Sequence, residues 1–87
     1  MNLELYTEVA LKINLPEYNL KKGDVATLID FVPHPQNGEQ GCVLELFNAT
    51  GQSIAVVIVP KSAIKPLAEN EILTTRLLEY SDRLKKM

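Results

Sequence analysis

The chain has no tryptophan, one cysteine and one histidine in 87 residues, and each shortage removes a class of function. A lone Cys42 cannot form an internal disulfide, which fits a reducing compartment. With no second histidine to join His34 and no cysteine pair, no metal-ligand spacing exists. Three tyrosines and two phenylalanines are too few to line a groove for a proline-rich peptide, and Phe31 and Phe47 read as core. The four glycines, Gly23, Gly38, Gly41 and Gly51, fall at separate turn signals, so there is no glycine-rich phosphate loop. No apolar run approaches the roughly 18 residues of a membrane span, and Met1 to Glu4 opens with no basic region ahead of an apolar stretch. No membrane association is expected, and the expected location is cytoplasmic.

A basic excess is missing as well. The formal net charge is −2 and the pI about 5.3, which gives no broad attraction to polyanions. Lys12, Lys21 and Lys22 could touch phosphates, but three lysines in an acidic chain without an exposed aromatic pair make nucleic acid a poor third choice of partner.

What is present is a globular composition, 46% hydrophobic and 23% charged, in a chain long enough for one domain with one modest core. Tyr6 to Ile13 alternates loosely, with Val9, Leu11 and Ile13 on one side, and predicts a first strand. Asn14 to Gly23 holds Pro16, two asparagines and Gly23, so it predicts a loop whose Leu15, Tyr18 and Leu20 fold over one end of the core. Gly23-Asp24 is the bend into a second strand, Asp24 to Val32, apolar on both faces. Val32 to Gly41, with two prolines and Asn37-Gly38, predicts a mobile polar turn. Cys42 to Phe47 and Ser53 to Val59 then read as a hairpin about Asn48–Gly51. Pro60 stops the ladder, Pro60 to Ala63 suits a 3₁₀ turn, and Ile64 to Leu67 is a last short strand.

Five short strands with this loop pattern predict a mainly β fold, a small SH3-like five-stranded barrel at residues 1–67. The segments LPEYNLKKGDVATLIDF, CVLELFNATGQSIAVVIVP and IKPL resemble the small bacterial proteins of the domain of unknown function 4926 over about residues 6–67. That family follows a Leu-Lys-Lys-Gly-Asp-Val-Gly-Thr pattern, from which Ala26 departs where glycine is usual. The resemblance implies an SH3-like fold and genes beside other small uncharacterised or toxin-like proteins; it brings no catalytic residues.

Residues 68–87 differ in character. Glu69 to Lys86 lacks glycine and proline, begins with Glu69 and Glu71, and ends with Arg83, Lys85 and Lys86, a charge order matched to a helix dipole. It predicts a C-terminal amphipathic α-helix whose stripe, Leu73, Leu77, Tyr80 and Leu84, either covers the barrel or binds a partner. An isolated helix of this length is marginal in water, so the stripe needs a surface to pack against.

Catalysis is not expected. His34 sits between two prolines and reads as a surface residue. Cys42 reads as a small buried hydrophobe, although a loop could bring His34 to it as a base. The carboxylates Glu17, Asp24, Asp30, Glu39 and Glu45 are scattered. The expectation is a non-enzymatic protein–protein interaction module without cofactor or metal, acting through a protein partner or self-association. The alternative is an antitoxin or immunity-type neutralising partner of a neighbouring small protein.

Overall fold

The computed structural model describes residues 3–33 and 38–78. Five strands, β1 (Glu8–Leu11), β2 (Val25–Val32), β3 (Gly41–Phe47), β4 (Ser53–Pro60) and β5 (Ile64–Pro66), form one sheet in the order β4-β3-β2-β1-β5, with two 3₁₀ turns at Pro16–Tyr18 and Lys61–Ala63. Every neighbouring pair is antiparallel.

The strands arise where apolar and β-branched residues run together, and the turns arise where the backbone is given special freedom. Between β1 and β2, Leu15 and Leu20 pair across the 3₁₀ turn, with N–H to C=O distances of 2.8 and 3.1 Å. Asn19 takes a left-handed conformation at φ 58°, which asparagine tolerates better than most residues. Gly23 follows at φ 93°, where a Cβ would be strained. Its N–H donates to the Leu11 carbonyl at 2.9 Å, while the Lys21 N–H donates to Asp24 Oδ2 at 2.8 Å. The bend is thus closed from both sides. At the β3–β4 turn, Asn48 Oδ1 accepts the Thr50 N–H, the Thr50 hydroxyl and the Gln52 N–H, at 3.1, 2.9 and 2.9 Å. Gly51 there has φ 89°.

Two register shifts explain alternations that run awry in the sequence. In the β2–β3 ladder, Leu28 opposes Leu44 but Asp30 opposes Val43, leaving Ile29 as an extra residue. Because side chains alternate with period two, the extra residue moves the inward set from Ala26 and Leu28 to Phe31. That switch is why β2 looks apolar on both faces. The second shift lies between Leu46 and Phe47, where Leu46 opposes Ala55 and Phe47 opposes Ser53.

One core gathers Val9, Leu11, Leu28, Leu44, Val59 and Cys42, each at most 2% exposed, with Leu15, Leu20, Ala26, Leu46, Val57, Ala63 and Ile64 around them. Burying a side chain of this kind stabilises the fold by about 1.5–3 kcal/mol. Ala26 opposes Val9 in the ordinary β1–β2 ladder and has no positive φ, so no special torsion is called for at the position where the family pattern carries glycine.

The predicted SH3-like barrel with a C-terminal amphipathic α-helix is corrected on two points. The sheet is open: β4 and β5 are its edges and no ladder joins them. Three residues of β5, ending at Pro66, offer little for β4 to pair with. The helix is also absent among the described residues, since Glu69–Leu78 contains no α-helical turn. Glu71 Oε1 accepts the Ala68 N–H at 2.7 Å and its own N–H donates to the Ala68 carbonyl at 3.1 Å, a capping arrangement that stops after one turn. Intrinsic helix preference is weak against tertiary contacts, and Thr74-Thr75 lowers it further. The predicted continuation over residues 79–86 lies outside the described residues. A third correction concerns Phe47, which is 46% exposed because Cys42, Leu44 and Leu46 take the inward positions and alternation turns Phe47 outward.

Candidate functional site

The free edge of the sheet at β4 is the most distinctive surface. Beyond the bulge, Val57 and Val59 point inward at 5% and 2% exposure, while Val56 and Ile58 point outward at 57% each and Ile54 at 36%. The backbone of the same outward residues faces the edge. The Lys61 N–H donates to the Gln40 carbonyl at 2.9 Å, and in the register Gly41↔Pro60 to Leu46↔Ala55 this makes Cys42–Val59 and Leu44–Val57 the hydrogen-bonded pairs, since such pairs alternate. Val56 and Ile58 occupy the non-bonded pairs, so their N–H and C=O groups point away from β3. No described residue takes them up.

Protected edge strands use charge, proline or brevity. β5 is protected by its three residues and Pro66. β4 has eight residues, no charged side chain and a proline only at its last position, Pro60. Beside it, Val32, Pro33, Glu39, Gly41, Ile58 and Pro60 line a shallow groove. Glu39 is held there by Ser62, whose N–H and hydroxyl donate to its two carboxylate oxygens at 2.6 and 2.9 Å. On β3, Glu45 opposes Val56 and accepts the Ser53 hydroxyl at 2.7 Å. The outer face near the β4 edge is therefore an apolar ridge with two acidic side chains already engaged by serines.

The sequence-predicted contact residues lie elsewhere. Leu73 and Leu77 are 59% and 89% exposed on the segment after β5, together with Ile72 at 87%; Tyr80 and Leu84 lie outside the described residues. The structure does not gather Leu73 and Leu77 into a helical stripe. Leu78, which was not singled out in the sequence, packs against the core, and Arg76 fastens the segment beside the Pro16–Tyr18 turn. Its Nε donates to Asp24 Oδ1 at 2.8 Å, a second nitrogen reaches Asp24 Oδ2, and that nitrogen also donates to the Asn19 carbonyl at 3.1 Å. Burial pushes the Asp24 carboxyl upward, but the hydrogen bonds from Arg76 and the Lys21 N–H, with the charges of both residues, outweigh it and hold the carboxyl below its ordinary value. At the other end of the segment Lys65 Nζ lies 2.7 Å from Glu71 Oε2, and this bond with the Ala68 N–H lowers the Glu71 carboxyl.

Among the described residues the remaining reactive groups do not converge. Cys42 is fully buried, and burial pushes its thiol up. His34 lies outside the described residues. Among those described, no group of three or more His, Cys, Asp or Glu could hold a metal ion, and no helix is long and apolar enough to cross a membrane. Lys12, Lys21 and Lys22 are exposed around the Gly23 bend, with the Lys22 N–H donating to Asn14 Oδ1 at 2.9 Å.

Sequence reasoning missed the β4 edge, although a signal was there: Ser53–Pro60 carries apolar residues at outward as well as inward positions and no charge. No curated protein and no solved structure matches the chain. A family model described as "Domain of unknown function (DUF4926)" matches residues 5–66, and the chain belongs to that family.

Proposed function

We propose, on the premise of that membership, that the chain is a non-enzymatic protein-interaction module whose docking surface is the β4 edge. The observation that carries the reading is that Val56 and Ile58 combine 57% exposed side chains with backbone groups that no described residue pairs. An extended segment laid along β4 would satisfy those groups by strand addition and cover the ridge, with affinity from the ladder and selectivity from alternate side chains. The buried single cysteine suits a reducing, cytoplasmic setting. Leu73 and Leu77 form the competing contact, and one experiment separates the two.

A photo-crosslinking residue in place of Val56, in the full chain at native expression level, should give a discrete protein adduct, and the same group in place of Leu77 should not. Adducts at Leu77 alone would move the docking surface to the segment after β5, and adducts at neither would sink the interaction reading.

A further inference from the structure

The β4 edge matches its own image. We infer that β4 pairs antiparallel with β4 of a second copy about a two-fold axis at Val57, joining two sheets into one continuous ten-stranded sheet. This rests on the reading of β4 as the docking edge and adds the identity of the occupant.

Three features favour a second copy. First, the strand from Ser53 to Pro60 has no charged side chain, so two copies brought edge to edge meet no like charge, which is the usual device against such pairing. Of the two carboxylates near this edge, Glu39 is taken up by Ser62 beyond the end of the strand, and Glu45 stands one strand back opposite Val56; across the joined edge Glu45 is three strand spacings from its counterpart, about 14 Å, beyond the Debye length at physiological salt.

Second, the backbone groups that no described residue takes up are in register with themselves. With the axis at Val57, Val56 of each copy opposes Ile58 of the other, and these are the two residues whose N–H and C=O groups face outward. Both pairs become hydrogen-bonded pairs of the new ladder, and Pro60, which cannot donate, falls toward each end, opposite Ile54. Opposed residues share a face, so Val56 and Ile58 side chains meet twice across the join as β-branched pairs, the type that strengthens antiparallel sheets.

Third, the symmetric arrangement closes. The alternative, β4 of one copy on β5 of the next, would match eight residues with three ending at Pro66 and would propagate into an open chain of copies.

The test is absolute mass of the full chain by sedimentation equilibrium from micromolar to millimolar concentration, beside Val56→Lys and a cysteine pair. The expected result is a concentration-dependent dimer. Val56→Lys, which brings a desolvated lysine against the second copy's edge, should weaken it by about tenfold or more while circular dichroism stays unchanged. Because Val56→Lys could disturb the sheet, an equimolar mixture of Val56→Cys and Ile58→Cys chains provides a second readout. It should form a mixed disulfide dimer on mild oxidation about tenfold faster than Leu77→Cys chains form theirs, since opposed residues of a ladder lie within disulfide reach. A monomer at every concentration, a dimer that Val56→Lys leaves intact and Leu77→Cys cross-links fastest, or growth into species larger than a dimer would each overturn the self-pairing. A monomer whose Val56 photo-adduct contains a different protein would overturn the second copy as occupant while leaving the docking edge standing.

Discussion

Arg76 grips Asp24 across 52 residues of chain, with Nε at 2.8 Å from Oδ1 and a second guanidinium nitrogen on Oδ2. The two side chains are 29% and 17% exposed, so the pair is partly withdrawn from water, and Asp24 also accepts the Lys21 N–H at the Gly23 bend. One carboxylate thereby holds a turn and ties down the segment that follows the last strand. Arg76→Ala and Asp24→Asn should each lower unfolding free energy by about 1–2 kcal/mol. The double variant should lose less than the sum, which urea titration of all four chains would reveal. Additive losses would mean that the pair does not stabilise the fold as a unit.

Acid should act on the same contact. The Asp24 carboxyl lies below its ordinary value of 3.8 in the folded chain, so just below that value the unfolded chain takes up a proton that the folded chain refuses. The stabilisation is then present in full above pH 3.8 and is lost as pH falls through the depressed folded value. Asp24→Asn should flatten this part of the stability profile. An unchanged slope below pH 4 in that variant would assign acid sensitivity to other groups.

Adjacent leucines should behave oppositely. Leu77 is 89% exposed, so Leu77→Ser should change stability by no more than about 0.5 kcal/mol. Leu78 packs against the core, and Leu78→Ala should cost about 1–2 kcal/mol, less than a fully buried leucine because it is only partly covered. Thermal unfolding decides between this arrangement and a buried stripe through Leu77, for which the order of the two effects would be reversed.

Gly23 is limited by its torsion and not by space. A Cβ there would meet nothing within 4 Å, yet φ is +93°. Gly23→Ala should cost about 1–2 kcal/mol from backbone strain, and the β-branched Gly23→Val more. Equal stability of all three chains would show that the bend has another conformation open to it.

Cys42 should be silent chemically. It is fully buried and burial raises its thiol, so a thiol-specific reagent should modify it only as fast as the chain opens. Rapid labelling of the native chain would contradict the packed β2–β3–β4 centre.

Much of the strand layout is legible in the sequence, because apolar runs separated by residues with special torsions are local signals. Asn14–Gly23, Asn48–Gly51 and Pro60–Ala63 each carry their turn chemistry within a few residues, and β2, β3 and β4 appear within a residue or so of where alternation places them. Phe47 could also have been placed, since strict alternation from Cys42 turns it outward. The bulges could not: Ile29 and Ile54 look like any other strand residue, and only the partner strand shows that they are extra.

The segment after β5 marks the limit of such reading. Its charges and apolar spacing have the form of a helix, and helix formation depends on a surface to bury the stripe. In the folded chain the contacts made there include the Asp24 carboxylate and a patch beside Leu78, which Arg76 and Leu78 reach without a helix. The candidate site was hidden for a related reason. By itself the sequence determined that β4 would be a strand and that it would carry no charge, since both follow from its own eight residues. Only the tertiary structure decided that β4 has one neighbour among the described strands, because edge position is a property of the whole sheet, and it is edge position that leaves Val56 and Ile58 with exposed side chains and with backbone groups that no described residue pairs.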